Sequence, residues 1–244
     1  MGLELLVAYV LAALVVGAVV FRKTWFWLKK AEEVFPAPTL TSVLLWSLTA
    51  FFTALLLEAL VMYPFWGKSS MLLALAVAVG PVEEGAKLLP FVASREDLPL
   101  RWHLTVRTAL AFGVIEAILY LVFLTSTGNL LGAFFRTVVI MFHVAWTALA
   151  LKDALEGSLA GGYLKASLIH GLYDAPVFLL LMNRTLAGVA AIAAIFALLY
   201  LNGAVDEAFR TAIAHALPKR ESNGTDEGQE REGEEENTEL TSSP

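Results

Sequence analysis

The chain has 244 residues, of which 58% are hydrophobic and only 16% charged, and it contains no cysteine. Its mean hydropathy is +0.68, whereas a soluble domain carries about a quarter charged residues, so an ordinary water-soluble globule is excluded. Without cysteine there are no disulfides, no thiolate metal sites and no cysteine nucleophile. The formal charge of −6 arises entirely after residue 217, where nine acids face three bases, so it says nothing about a charged ligand of the remaining chain.

Apolar blocks recur along the chain at about 3–21, 40–63, 69–93, 104–124, 133–151, 159–182 and 186–204, each near the roughly 20 residues that cross a bilayer as a helix. They lack the period-two alternation of barrel strands. The expected fold is therefore all-α, a polytopic helical membrane protein of about seven transmembrane helices around a central polar cavity. The first block lacks a basic leader, and Phe-Arg-Lys-Thr-Trp follows it instead of a small-residue cleavage site, so it reads as a retained span. Residues 25–38, "WFWLKKAEEVFPAP", mix aromatic and charged side chains and read as an interfacial segment. From Pro218 the sequence "PKRESNGTDEGQEREGEEENTELTSSP" has almost nothing apolar to bury. The expected organisation is a helical membrane domain over 1–217 and a disordered acidic tail over 218–244. No phosphate loop and no nucleic-acid module is present, so nucleic acid is not an expected partner.

Basic residues set the orientation. One alternate set of loops holds thirteen Lys and Arg, among them Arg22, Lys23, Lys29, Lys30, Arg95, Arg101 and Lys152; the opposite set holds Lys68, Arg136 and Arg184. The excess belongs in the cytoplasm, which puts the N-terminus outside and the C-terminus inside an integral membrane protein.

Inside the apolar blocks lie Glu58, Glu83, Glu84, Lys87, Glu116, His143, His170 and Asp174. Titratable side chains at bilayer depth are costly and mark function by default. At 1.5 Å per residue, Glu83, Glu116, His143 and His170 each fall roughly 14–18 Å from the cytoplasmic boundary, near the middle of a ~30 Å core. Unrelated polar residues, each satisfied locally, would not share one depth. Glu83 and Lys87 are four apart and share a face, as are His170 and Asp174 in "HGLYDAP". Gly80-Pro81 and Pro176 are expected to loosen their helices beside these groups. Glu58 lies close to the outer end of its block and is expected to snorkel outward.

Two adjacent carboxylates in a low dielectric do not both ionise cheaply, so one is poised as an acid or base while Lys87 holds the other charged. A carboxylate that draws a proton from water makes a nucleophile, and imidazoles can donate to the resulting oxyanion. Those are the means of hydrolysing an amide without serine or cysteine. The same imidazoles and carboxylates would suffice to ligate zinc. The first motif lacks the His-Glu-x-x-His of helical zinc proteases, and the expectation is a site without a cofactor or metal.

Glu83-Glu84-x-x-Lys87, Phe112-x-x-x-Glu116, an isolated His143 and His170-x-x-x-Asp174 follow one another on four successive blocks. This order resembles the PrsW family of intramembrane proteases, within the wider superfamily of CAAX prenyl proteases and bacteriocin-processing enzymes. The resemblance covers about residues 80–176. It implies an intramembrane endopeptidase of the glutamic type, in which a glutamate of the 83–84 pair activates water and His170 with Asp174 stabilises the oxyanion and orients the substrate. Glu116 and His143 complete the implied catalytic set, and Lys87 is its supporting ion pair. The implied partners are the lipid bilayer and a membrane-protein or lipidated-protein substrate, such as an anti-sigma factor. Glu116 stands where CAAX proteases have a histidine, which suits PrsW-like relatives better.

Two other readings use the same residues: a proton-coupled transporter or channel, and a non-catalytic membrane scaffold of the same fold. Against the transporter, no inverted repeat is evident and the polar groups share one depth instead of forming a path. The orientation is directly testable because the chain is free of cysteine. A cysteine replacing Asn129 should react with an impermeant thiol reagent applied to intact cells, and one replacing Ser222 only after permeabilisation; the reverse pattern overturns the orientation.

Overall fold

The computed structural model describes residues 2–217, with the side chains of residues 2, 3, 131, 134 and 135 left aside; the acidic stretch 218–244, expected to be a disordered tail, lies outside the described residues. The chain forms α1 (Gly2–Val34), α2 (Leu40–Met62), α3 (Ser70–Lys87), α4 (Leu89–Ala93), α5 (Leu98–Ser126), α6 (Leu130–Leu155), α7 (Leu159–Leu180) and α8 (Arg184–Ala216), with a single 3₁₀ turn at Tyr63–Phe65. No strand occurs among the described residues. The expected all-helical class is the observed one.

Helix starts follow the capping chemistry of the sequence. The side chains of Thr39, Asp97, Asn129 and Asn183 accept hydrogen bonds from first-turn backbone N–H groups of α2, α5, α6 and α8, which satisfies donors that would otherwise be orphaned in an apolar surrounding. Five helices, namely α1, α2, α5, α6 and α8, are long and apolar enough to cross a membrane. The two other long helices, α3 and α7, carry Glu83, Glu84 and Lys87 and Lys165, His170 and Asp174 respectively, and these polar residues lower their hydropathy. Among the described residues, five of the seven expected spans therefore meet that criterion of length and hydropathy.

Residues 25–34 of the segment read as interfacial continue α1, whose 33 residues extend about 50 Å, well beyond a ~30 Å core. The expectation of helix breaks at proline is revised. Pro81 and Pro176 do not interrupt their helices, since α3 runs through one and α7 through the other. The break falls at Leu88, between α3 and α4, where Pro90 has no N–H to offer the Ala86 carbonyl.

α6 is the central helix. It packs against α1, α5, α7 and α8, and residues 141–151 are buried without interruption. α1 lies along α8 over small side chains, with Ala187, Ala191 and Ala194 fully buried, the close approach that membrane helices favour. Asp206 of α8 locks this pair by accepting from Trp27 Nε1 at 2.7 Å and pairing with Lys23 Nζ at 2.9 Å. α2 is peripheral. Only Ser47, Ala50 and Ala54 are buried on it, and it packs on α3 and α5.

α3 packs closely on α7, and Gly80 makes this possible. A Cβ on Gly80 would fall on the Ser167 carbonyl oxygen and lie 2.7 Å from the Gly171 nitrogen, both on the α7 backbone. Neither atom can yield without separating the helices. Gly80→Ala should destabilise the fold by about 1–3 kcal/mol, the usual cost of overpacking, read as a lowered unfolding transition in detergent or bicelles; a wild-type transition would show that the helices part freely.

Candidate active site

Four helices bring the singled-out residues together. α3 supplies Glu83, Glu84 and Lys87, α5 supplies Glu116, α6 supplies His143, and α7 supplies His170 and Asp174. Glu83, Glu84, Lys87, His143 and His170 are all buried, and Lys87 is fully removed from solvent. A buried ammonium is tolerable only when opposite charge and hydrogen bonds surround it. Lys87 Nζ donates to Glu84 Oε1 at 2.6 Å and contacts His143 Nδ1 at 2.9 Å. The rings of Phe112 and Trp146 flank it, with centroids at 5.3 and 5.6 Å, where their electron-rich faces favour a cation.

These contacts fix the roles of the ring nitrogens. An ammonium only donates, so Nδ1 of His143 accepts from Lys87 and the ring proton sits on Nε2. That nitrogen lies 2.8 Å from Glu116 Oε2, and Glu116 Oε1 in turn faces Arg136 Nη1 at 3.3 Å. His170 is held from both sides, with Nδ1 2.8 Å from Glu84 Oε1 and Nε2 3.1 Å from Asp174 Oδ2. Its ring stacks on Trp146 at a centroid distance of 3.9 Å and an interplanar angle of 13°. Gly113 of α5 lets the cluster close, because a Cβ there would lie 2.8 Å from His143 Cδ2.

The neighbouring carboxylates of α3 differ sharply in their surroundings. Glu84 has one oxygen shared between Lys87 and His170. Glu83 is held less closely: its Oε2 lies 3.7 Å from His143 Nδ1 and 3.8 Å from both His170 Nε2 and Lys87 Nζ, and no hydrogen bond reaches this buried oxygen. Glu83 also lines a cavity of about 290 Å³, together with Glu58, Glu116, Tyr120, Arg136 and Asp174. A second, mostly apolar cavity of about 470 Å³ adjoins it, and the two share Tyr120, Arg136 and Asp174.

Four of these residues escaped the sequence reading. Trp146 is three residues after His143, Tyr120 is four after Glu116, and Arg136 is two turns before His143, so helical spacing alone places each beside a residue already singled out. Arg136, by sequence one of the few outer basic residues, pairs with Glu116 and stacks 3.6 Å from the Tyr120 ring centroid. Glu58, expected to snorkel, lines the cavity with one buried oxygen. Its signal was its face, since Phe51, Ala54, Leu55 and Glu58 project from α2 into one cavity.

An all-helical membrane body with a buried cluster of carboxylates, imidazoles and a lysine beside a cavity defines the class. The chain belongs to the PrsW family: the family described as PrsW family intramembrane metalloprotease matches residues 35–201, from the α1–α2 connection into α8. No curated protein and no solved structure matches the chain.

That family description raises the question of a metal, and the donors present fit one. Glu83, His143 and His170 offer ligand atoms within 4.8 Å of one another, a two-imidazole, one-carboxylate set suited to catalytic zinc. The outer nitrogens of both rings already face carboxylates, Glu116 and Glu84, the usual support of ligating histidines. Lys87 competes with such a role, because His143 Nδ1 has one lone pair and turns it to the ammonium.

The Lys87–Glu84 pair should dominate stability. Lys87→Met strands a buried carboxylate and should cost about 3–5 kcal/mol, whereas the double variant Lys87→Met with Glu84→Gln should recover most of that loss. Unfolding of the single and double variants measures it, and an additive double variant would mean that the pair is not coupled.

Proposed function

We propose that this chain is an intramembrane endopeptidase that hydrolyses a peptide bond of a membrane-associated protein with water activated by Glu83. The observation that carries this reading is the asymmetry of the glutamate pair. Both glutamates bury an Oε2 with no hydrogen-bond partner, but Glu83 lines the cavity, while the other oxygen of Glu84 is spent on Lys87 and His170. Membership of the PrsW family supports an intramembrane protease. The order of the motifs also supports placement in the superfamily shared with CAAX prenyl proteases.

In this reading Glu83 Oε2 takes a proton from a water in the cavity as the water oxygen attacks the carbonyl carbon of the scissile bond. The negative charge gathers on the former carbonyl oxygen. His170, held at Nδ1 by Glu84 and braced by Trp146, turns its Nε2–H from Asp174 to that oxygen. When the C–N bond breaks, the proton held by Glu83 passes to the leaving nitrogen, so the products are a carboxyl and an amine. His143 and Glu116 position Lys87, whose charge keeps Glu84 ionised and the two glutamates unlike. Asp174 and Glu116 face the substrate from the cavity wall.

A second reading has its own observation, the Glu83, His143 and His170 donor set. Those three residues would hold a divalent cation, which supplies Lewis-acid polarisation of a carbonyl and a more acidic water.

Purified protein in bilayers, given a single-span substrate, separates the two. Glu83→Gln should lower kcat by about 10²- to 10⁴-fold, the usual contribution of a general base, without loss of folding, and a chelator should leave the wild-type rate unchanged. Cleavage abolished by the chelator and restored by zinc would favour the second reading. Wild-type rates in Glu83→Gln would overturn both.

A further inference from the structure

A peptide bond in a membrane-spanning substrate is protected by its own helix, because its N–H and C=O are already paired. To meet Glu83 the substrate must unwind over a few residues, and every backbone group so released needs a partner in a medium without water. The cavity's polar groups are mostly committed elsewhere. Glu116 is held by His143 and Arg136, Asp174 by His170, and Arg136 by Glu116 and the Tyr120 ring. Glu83 is assigned to water. Glu58 remains. It is the sole polar side chain that α2 contributes to the cavity, and its Oε1 is buried with no hydrogen-bond partner. A carboxyl one turn from the end of α2 has a short route out to the interface, yet one oxygen points inward and goes unmet. A buried, unpaired acceptor is destabilising unless something arrives to use it.

We propose that Glu58 is a substrate-binding residue, whose carboxyl accepts a hydrogen bond from a backbone N–H exposed where the membrane-embedded substrate unwinds beside the scissile bond. This rests on the hydrolytic reading of the cavity. It assigns α2 a specific part: the peripheral helix carries the acceptor, and the buried helices carry the chemistry. Because Oε1 has no partner within the protein, replacing Glu58 removes no internal hydrogen bond from that atom, and the fold should survive the change.

The test uses binding alone. The probe is a synthetic single-span peptide of about 25 residues with a Gly-Gly break at its centre, long enough to cross the bilayer. Its affinity is measured in bilayer discs for Glu83→Gln protein, which retains the peptide uncut, with and without Glu58→Leu or Glu58→Gln. N-methylating the amides around the break one at a time removes one N–H donor each. At one position the methyl should weaken binding about tenfold, the scale of a single hydrogen bond. That penalty should vanish in the Glu58→Leu protein and persist in Glu58→Gln, which still offers an acceptor oxygen. A side chain with only a structural role would leave every methylation penalty unchanged. If no amide shows a penalty that depends on Glu58, or if Glu58→Leu binds the parent peptide as tightly as its background, the assignment is overturned. Cleavage by wild type against Glu83→Gln tests the hydrolytic reading separately, so the two failures are told apart.

Discussion

A lysine ammonium with no access to water must be surrounded by its own partners, and the interior of this protein is arranged around that requirement. Lys87 takes Glu84 from its own helix, His143 from α6 and two aromatic faces from α5 and α6. Once those contacts are fixed, so is much else. Glu84 reaches across to His170 and draws α7 against α3, while His143 turns its remaining nitrogen to Glu116 and joins α6 to α5. One buried charge thus couples four helices. The coupling demands close approach, which Gly80 and Gly113 permit by leaving room for a backbone and an imidazole.

The same constraint makes two adjacent residues chemically different. Glu83 and Glu84 occupy consecutive positions and point about 100° apart around α3. One turns into the ion pair and the other toward a cavity. A site for general-base chemistry needs a carboxylate that is desolvated, accessible to water and not already neutralised by a close cation. In the proposed mechanism Glu83 is that carboxylate, the lysine going to its neighbour. The contacts of Lys87 with Glu83, at 3.8 Å, and with Glu84, at 2.6 Å, express that division.

The membrane body also separates rigidity from access. α6 is enclosed and carries His143 and Trp146 into the cluster, so those two side chains rest on a rigid element. α2 buries little and forms the cavity wall through Phe51, Ala54, Leu55 and Glu58. The proposed substrate, held in lipid, would approach laterally, and the thinly packed helix is where the protein has least to lose by yielding.

The sequence by itself determined what is local or periodic. Hydropathy marked each long helix, capping residues marked where several begin, and spacings of three and four put Glu83 with Lys87 and His170 with Asp174 on shared faces. Depth counting gathered Glu116, His143 and His170 to one level, because helical rise is constant and a charge in lipid is too costly to place idly. Local signals also misled. Proline read as a helix break at 81 and 176, where packing carries the helix through. Only the tertiary structure decided which partner each group meets. Whether Glu83 or Glu84 takes Lys87, whether Arg136 turns to solvent or to Glu116, and whether Glu58 snorkels or faces the cavity depend on the rotation and tilt of one helix against another. Those angles are set by small residues at the contacts, such as Gly80 against Ser167 and Gly113 against His143, and a one-dimensional pattern fixes the face of a helix without fixing what that face will touch.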